Sequence, residues 1–187
     1  MGSYFPIQRV SRLKNQKLAQ EIYKSAYITG DFLLRSGQRS KEYFDKYRFE
    51  SQPHLLRAIA KEMVPLLPKD IDGLAGLEVG GIPIATALSL ETGLPLCFVR
   101  KKAKEYGTCQ FAEGFAVKGL RLCIIEDVVT SGGQVILSTE DLRKEGALIS
   151  QVLCVIDREQ GGREKLEAVD LTLTSLFTMT DLKSAGA

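Results

Sequence analysis

The sequence contains no tryptophan, one histidine and only four cysteines among its 187 residues. Cys97, Cys109, Cys123 and Cys154 are widely spaced and form no C-x-x-C pair, so neither a disulfide framework nor a common zinc motif is expected. Three of them lie in apolar runs typical of strands, which predicts buried thiols rather than metal ligands. The histidine, His54, lies near the start of a predicted helix with no catalytic partner beside it, and we expect it on the helix surface.

An excess of charge of one sign is also lacking. The 25 basic and 23 acidic residues leave a formal net charge of +2, which gives no general attraction to nucleic acid or membranes. No uninterrupted apolar run is long enough to span a bilayer. The opening MGSYFPIQRVSR is too polar to hold the apolar part of a secretion signal. We therefore expect a cytoplasmic protein that binds neither nucleic acid nor membranes.

The length and a hydrophobic content of 44% suit one domain with a full core. We predict a single domain over 1–187, in which about 1–50 form a small hood and about 51–187 form an α/β core. Residues 11–28 have apolar residues at helical spacing, and the segment that follows, up to residue 49, is broken by Ser-Gly into short strands or a loop-rich hairpin. Pro53 opens a second helix, which Pro65 ends or kinks.

Beyond residue 72 the pattern becomes strand, glycine turn and helix in alternation. Apolar runs predict strands over 73–79, 94–99, 121–127 and 150–157, and helices are predicted over 84–91 and 134–145. This alternation indicates a parallel sheet with helical crossovers, so the predicted fold class is α/β with helices flanking a central parallel sheet. The last residues, LKSAGA, are expected to be frayed.

The stretch LCIIEDVVTSGG carries the strongest chemical signal. A strand suited to the interior of a parallel sheet ends in Glu126 and Asp127, and Thr130 to Gly133 then precede a helix. Glycines and a helix N-terminus can direct backbone amides at a phosphate, whereas the two carboxylates suit hydroxyl groups, so the pattern indicates a sugar phosphate. It matches neither a Walker A loop nor a dinucleotide fingerprint. The alternative is a tight turn whose acids only cap the helix.

With three further stretches, the pattern resembles the type I phosphoribosyltransferases. IIEDVVTSGG is similar to their phosphoribosyl diphosphate signature, and LEVGGIPIATA to their pyrophosphate loop. VRKKAKEYGT resembles the mobile catalytic loop of orotate phosphoribosyltransferases, and VIDREQGG resembles the segment that carries an arginine to the orotate carboxylate. Together these stretches cover about 77–162, and the resemblance implies a type I phosphoribosyltransferase fold with an N-terminal hood.

The resemblance implies a role for particular residues. Expected to bind phosphoribosyl diphosphate are Arg100, Lys101, Lys104, Tyr106, Glu126, Asp127, Val128, Val129, Thr130, Ser131, Gly132, Gly133, Gln134, Gly80 and Gly81. Thr130 and Arg158 are expected at orotate. Among these, the catalytic residues are Arg100, Lys101, Lys104 and Asp127.

The reaction implied is transfer of phosphoribosyl to orotate, giving orotidine 5′-monophosphate and diphosphate in pyrimidine synthesis. The resemblance further implies Mg²⁺ carried by phosphoribosyl diphosphate rather than by protein ligands, and a homodimer whose loop reaches the neighbouring site. Tyr106 stands where many members have histidine, and Gly80 where others have lysine. Lys102 has no motif role, and the hood offers Lys41 and Phe44 as candidates for contact with orotate.

Alternatives remain at this point. RKKAK taken alone is a solvated charge run, and DRE taken alone is a surface charge cluster. A purine or another pyrimidine could be the acceptor, and a regulator could keep the same pocket as a sensor. The chain could also be the transferase half of an enzyme that makes uridine monophosphate, although its length leaves no room for a decarboxylase domain.

Overall fold

The computed structural model describes residues 16–33, 37–102 and 111–186. The chain begins there with α1 (Gln16–Ala26), followed by an antiparallel hairpin of β1 (Tyr27–Leu33) and β2 (Arg39–Phe44) and by the short helix α2 (Tyr47–Glu50). The predicted helix therefore ends two residues early, because Tyr27, Ile28 and Thr29 favour a strand. The helix α2 was not predicted, since its segment was interpreted as part of the hairpin.

The remaining elements form the alternating part of the chain. In order they are α3 (Pro53–Met63), a 3-10 turn (Val64–Leu66), β3 (Gly73–Leu77), α4 (Gly81–Thr92), β4 (Leu96–Val99), β5 (Ala112–Glu113), β6 (Arg121–Val129), α5 (Gly133–Lys144), β7 (Leu148–Asp157), α6 (Gly162–Glu167), β8 (Thr172–Thr178) and α7 (Met179–Gly186). Sequence patterns located most of these but missed β5, α6, β8 and α7. The expectation that LKSAGA is frayed is wrong for residues 182–186, because α7 packs against α1 and buries Leu182.

The main sheet has six strands in the order β5-β4-β3-β6-β7-β8, and only the β4–β5 pair is antiparallel. From β3 the chain moves to one side to form β4, and it later returns to the other side of β3 to form β6. Open sheets of this kind bind ligands at such a reversal, outside the carboxyl ends of the strands. The turns after β3 and β6 are therefore the expected walls of a site.

The two faces of the sheet are covered by separate apolar clusters. On one face α1, α3, α4 and α7 pack together, and Ile22, Phe49 and Leu55 are among the buried residues. On the other face α5 and α6 cover residues such as Ile124 and Val152. Since α1 and Phe49 belong to the first cluster, the hood is packed into the same core as the sheet helices.

The scarce residues occupy the predicted environments. Cys97, Cys123 and Cys154 are buried and free, and burial raises the pKa of the Cys97 and Cys123 thiols to about 12. His54 is exposed on α3, as expected. Cys109 lies outside the described residues. Within the described ranges, no helix combines the length and the apolar character that a membrane crossing requires.

Candidate active site

The turn after β3 packs so closely against the end of β6 that only glycine fits there. A Cβ atom on Gly80 would lie 1.5 Å from Asp127 Oδ2, and one on Gly81 would lie 2.3 Å from the Ile125 carbonyl oxygen. Gly81 also begins α4, so the first amides of that helix have no intrahelical acceptor. The structure thus brings the predicted diphosphate turn against the predicted ribose acids.

The segment from Thr130 to Gln134 forms the turn from β6 into α5. Gly132 has a φ of 73°, in the left-handed region that favours glycine, and α5 begins at Gly133. Thr130, Ser131, Gly133 and Gln134 are exposed, and the free amides of the helix start face the same edge of the sheet. This arrangement fits an anion at the start of α5.

The two acids of β6 differ in exposure. Glu126 is half-buried, whereas the side chain of Asp127 is only 1% exposed. Asp127 Oδ1 accepts a hydrogen bond of 2.5 Å from the Val128 amide, and Oδ2 lies 2.5 Å from the Nζ atom of Lys46. Val128 and Val129 continue the strand into the two apolar clusters on opposite faces of the sheet.

Lys46 and Glu50 come from the hood, at the start and the end of α2. Glu50 is buried, its Oε1 atom has no hydrogen-bond partner among the described residues, and a Cβ atom on Gly80 would lie 3.1 Å from it. Burial and the neighbouring Asp127 raise the pKa of Glu50 to about 9. Burial and Asp127 also raise the pKa of Glu126. We call Lys46, Glu50, Glu126 and Asp127 the acid cluster.

The cationic segment after β4 begins beside the glycine turn. The Lys101 amide donates a hydrogen bond of 2.9 Å to Glu78 Oε1, which ties the segment to the turn after β3. Arg100 forms an ion pair with Glu113 of β5, with 3.4 Å between Nε and Oε1. Lys101 and Lys102 are exposed, while Lys104 and Tyr106 lie outside the described residues. The described start of the segment therefore lies beside the glycine turn.

Arg158 opens onto a cavity of about 690 Å³, which we call the base cavity. Thr130 is part of the same wall, and Phe44 and Tyr27 of the hood supply aromatic surface opposite. The Nε atom of Arg158 is buried and has no hydrogen-bond partner among the described residues. A planar anion in the base cavity would supply the missing acceptor. Of the two hood candidates, Phe44 lines this cavity, whereas Lys41 is exposed on β2 outside its described wall.

Hydrogen bonds to β6 and to α7 hold the loop that carries Arg158. The Arg158 amide donates to the Val129 carbonyl, and Glu159 has a φ of 56°, which turns the chain away from the strand direction. Glu159 Oε2 accepts hydrogen bonds from the Thr180 amide at 2.9 Å and from its hydroxyl at 2.6 Å. These bonds hold the loop to α7, so the helix that the sequence did not reveal supports the base cavity.

Metal ions have no preformed protein site in the described part of the chain. No group of three or more His, Cys, Asp or Glu side chains gathers there in an arrangement that could hold one. The acids present are instead buried around Lys46.

Sequence reasoning missed two residues of the acid cluster and the support of the Arg158 loop. Lys46 and Glu50 are four residues apart, the spacing that places side chains on one helical face. That signal was present in the sequence, but the segment was interpreted as a hairpin. The bonds from Glu159 to Thr180 join residues far apart in the chain and have no local signal.

The fold and the site define the class of protein. A central parallel sheet, an acidic strand end, a phosphate-type turn and a facing glycine turn are combined at one reversal of strand order. The family model described as a phosphoribosyl transferase domain matches residues 48–179, a range that contains the glycine turn, the end of β6, the turn into α5 and Arg158.

Individual relatives narrow the class. The chain is 51% identical over 168 residues to an orotate phosphoribosyltransferase of a Nocardioides species, covering 90% of this chain and 94% of the relative. Among solved structures it is similar to the orotate phosphoribosyltransferase of Mycobacterium tuberculosis H37Rv, with a TM-score of 0.81, 29% identity and coverage of 89% and 97%. The complex of that enzyme with 5-phospho-α-D-ribosyl 1-diphosphate gives a TM-score of 0.77, 26% identity and coverage of 90% and 98%. The chain belongs to the orotate phosphoribosyltransferase family.

Proposed function

We propose that this protein transfers the phosphoribosyl group of 5-phosphoribosyl 1-diphosphate to orotate, forming orotidine 5′-monophosphate and diphosphate in pyrimidine synthesis. The observation that carries the proposal is the place of Arg158, which lines the base cavity together with Thr130 and whose buried Nε atom has no hydrogen-bond partner among the described residues. Orotate is a flat ring with a carboxylate, and a guanidinium binds such a group with two parallel hydrogen bonds. Thr130 belongs to both the base cavity and the phosphate turn, so it would bring base and sugar together.

The phosphoribosyl diphosphate is proposed to lie along the reversal between β3 and β6. The exposed turn from Thr130 to Gln134 would bind the 5′-phosphate through amides and hydroxyls, while Glu126 and Asp127 would accept hydrogen bonds from the ribose hydroxyls. The amides of Gly80 and Gly81 would contact the diphosphate. Val128 and Val129 contribute by fixing the path of the strand between the acids and the turn.

The transition state has positive charge on the sugar and growing negative charge on the departing diphosphate, as in glycoside cleavage. Arg100, Lys101, Lys104 and Tyr106 are proposed to face that diphosphate, the first three as cations and the tyrosine as a neutral donor. When bound on the substrate oxygens, Mg²⁺ would add positive charge against the same diphosphate. The protein's own contribution is to hold sugar, base and leaving group in line and to exclude water.

A homodimer is proposed, in which the loop carrying Lys101 enters the site of the neighbouring subunit. Mixing two impaired variants tests this arrangement at an orotate concentration far below the KM of Arg158→Ala, because Lys101→Ala and Arg158→Ala put their defects in different parts of one site. If the loop acts across the interface, each mixed dimer contains one intact site, and refolding an equal mixture should recover about a quarter of wild-type activity. No recovery, although mixed dimers form, would place the loop in its own subunit's site.

The chain is proposed to act as one cytoplasmic domain. The supporting observations are the core shared by α1 and the sheet helices, and the free, buried thiols of Cys97, Cys123 and Cys154, which suit a reducing compartment. A single cooperative unfolding transition, seen alike by far-ultraviolet circular dichroism and by tyrosine fluorescence, is expected for one domain.

The decisive experiment follows the ultraviolet absorbance of orotate with purified protein, Mg²⁺ and phosphoribosyl diphosphate. Parallel reactions use uracil, adenine and hypoxanthine. We expect loss of the signal with orotate and no reaction with the other bases. Reaction with another base alone would overturn the acceptor, and binding of phosphoribosyl diphosphate without any reaction would favour a sensor.

A further inference from the structure

The acid cluster has an unusual composition for a buried site. Three carboxyl groups, those of Glu50, Glu126 and Asp127, surround a single ammonium group, that of Lys46. Buried charges are costly unless they are paired, so three carboxylates could not all remain ionised around one cation. The cluster must therefore hold at least one proton, and burial raises the pKa of both glutamates, that of Glu50 to about 9 and that of Glu126 to about 8.

The geometry ties Asp127 to two other elements at once. Its Oδ2 atom is 2.5 Å from Lys46 Nζ and directly over Gly80, where a Cβ atom would be 1.5 Å away. The side chain of Lys46 is 33% exposed and that of Asp127 is 1% exposed. The ammonium group therefore reaches from the surface of the hood to a buried carboxyl group. The position of α2 is set by Phe49, which is completely buried, and by the bond from the Asp45 amide to the Ala26 carbonyl.

Lys46 also supplies the positive charge of the acid cluster. Burial lowers the pKa of Lys46, but the charge of Asp127 and the contact with it outweigh this, so the pKa is raised and the side chain stays protonated. Its positive charge acts on Glu50 and Glu126 as well, in each case lowering the pKa that burial raises. Tyr47 lies beneath the ammonium, with 5.3 Å from Nζ to the ring centroid.

We propose that Lys46 and Glu50 are positioning residues for phosphoribosyl diphosphate, which act by holding Asp127 in place against the Gly80 turn. Lys46 supplies the counter-charge, and Glu50 is the buried spacer beside Asp127 and Gly80. The hood therefore serves the sugar side of the site as well as the base cavity. This inference rests on the proposed function and deepens it, because it assigns control of sugar binding to residues outside the matched strand-end and loop motifs.

The test compares Lys46→Met, which removes the charge and keeps the length of the side chain, with Lys46→Arg, which keeps the charge. Lys61→Met, on the exposed face of α3, is the matched control. For each protein the dissociation constant of phosphoribosyl diphosphate is measured by calorimetry, the KM of each substrate and kcat by turnover, and kcat/KM across pH. The thermal midpoint is measured in parallel.

In Lys46→Met we expect KM and the dissociation constant for phosphoribosyl diphosphate to rise about tenfold, the cost of one weakened charged contact. The KM for orotate should change less than about twofold, since Asp127 does not line the base cavity. The charged and titratable groups around Asp127 are Lys46, Glu50 and Glu126, and with the cation gone the pKa of the two glutamates rises further. The acidic limb of the kcat/KM profile should therefore move to higher pH. Lys46→Arg, which keeps the charge, should have nearly the wild-type affinity for phosphoribosyl diphosphate and nearly the wild-type pH profile.

An unchanged KM for phosphoribosyl diphosphate and an unchanged acidic limb in Lys46→Met would overturn the proposal, whatever the thermal midpoint. An equal rise in both KM values with no change in pH dependence would do the same, since it indicates general loosening. Glu50→Gln, which keeps the shape of the side chain, should raise the KM for phosphoribosyl diphosphate less than Lys46→Met does, and a loss as large as that of Lys46→Met would remove its spacer role.

These outcomes separate the inference from the proposed function. If the wild-type protein binds phosphoribosyl diphosphate but does not consume orotate, the proposed function fails. The binding comparison between wild type and Lys46→Met then still decides the role of Lys46. If the wild-type protein turns over orotate and Lys46→Met matches it throughout, only the inference fails.

Discussion

The two proposed binding regions at the edge of the sheet are built from different kinds of structural element. The region proposed for the sugar and its phosphates consists of backbone turns and enclosed acids, with Asp127 pressed against Gly80. The base cavity beside Arg158 is walled by side chains that come from the hood, the strand ends and α7. The first region is fixed by close packing, which resists adjustment. The second is fixed by individual hydrogen bonds, so it should tolerate change and control only the base.

The largest effect is expected at the cation that faces the leaving group. Lys101→Ala should lower kcat about 10² to 10³-fold, the range seen when one group that stabilises transition-state charge is removed. The KM for orotate should be nearly unchanged, because Lys101 lies beside the glycine turn rather than in the base cavity.

Lys102→Ala is the neighbouring control and should retain most of its turnover. Steady-state kinetics with each substrate varied in turn separate an effect on kcat from an effect on the KM for orotate. An altered orotate affinity at unchanged turnover would contradict the assignment of Lys101 to the sugar and diphosphate region.

Packing in the sugar region is tested by Gly80→Ala. The added carbon would overlap Asp127 Oδ2, so the turn or the acid must shift, and we expect kcat/KM for phosphoribosyl diphosphate to fall about 10²-fold. Orotate binding should be preserved if the two regions are independent. Circular dichroism checks that the variant is folded, and an active variant with normal kinetics would show that this packing is adjustable after all.

The base cavity is tested most directly by Arg158→Ala. Loss of a charged hydrogen-bonding partner should raise the KM for orotate about 10 to 100-fold, while binding of phosphoribosyl diphosphate stays close to that of wild type. Arg57→Ala, an exposed change on α3, serves as the control. Orotate dependence identical to that of wild type would remove Arg158 from the site.

The smallest effect is expected at the support of the Arg158 loop. Glu159→Gln keeps the shape of the side chain but weakens its two bonds to Thr180, and it should raise the KM for orotate about threefold. Glu164→Gln on α6 is the control. A larger loss in kcat than in orotate KM would indicate that α7 also governs the sugar region, and the contrast between the two regions would then disappear.

The sequence was most informative where chemistry and structure are local. The end of β6, the glycines after it and the start of α5 were located to within one or two residues, because an apolar run followed by acids and glycines has few structural solutions. The same holds for Arg158 after β7. The elements that were missed, α2, β8 and α7, are short or alternate polar with apolar residues, and tertiary packing rather than local preference determines them.

The features of the site also divide into those that one local stretch of sequence reveals and those that depend on contacts between distant segments. Glu126, Asp127 and the turn after them could be identified from one continuous stretch, as could the cationic segment that begins at Arg100. The contacts of Asp127 with Lys46, Glu50 and Gly80 join three segments that are separated by 30 or more residues in the chain, and no local pattern describes them.

By itself the sequence determined the strands β3, β4, β6 and β7 with the helices α3 to α5, the sugar-phosphate chemistry of the β6 end and the family to which the chain is similar. All of these depend on residue types at fixed spacing along the chain. Only the tertiary structure decided that Asp127 is enclosed while Glu126 is not, that the hood supplies the counter-charge, and that α7 supports the base cavity. The physical reason is that burial and charge pairing are properties of segments brought together in space, and the free energy of a buried carboxylate depends on neighbours that the chain delivers from a distance.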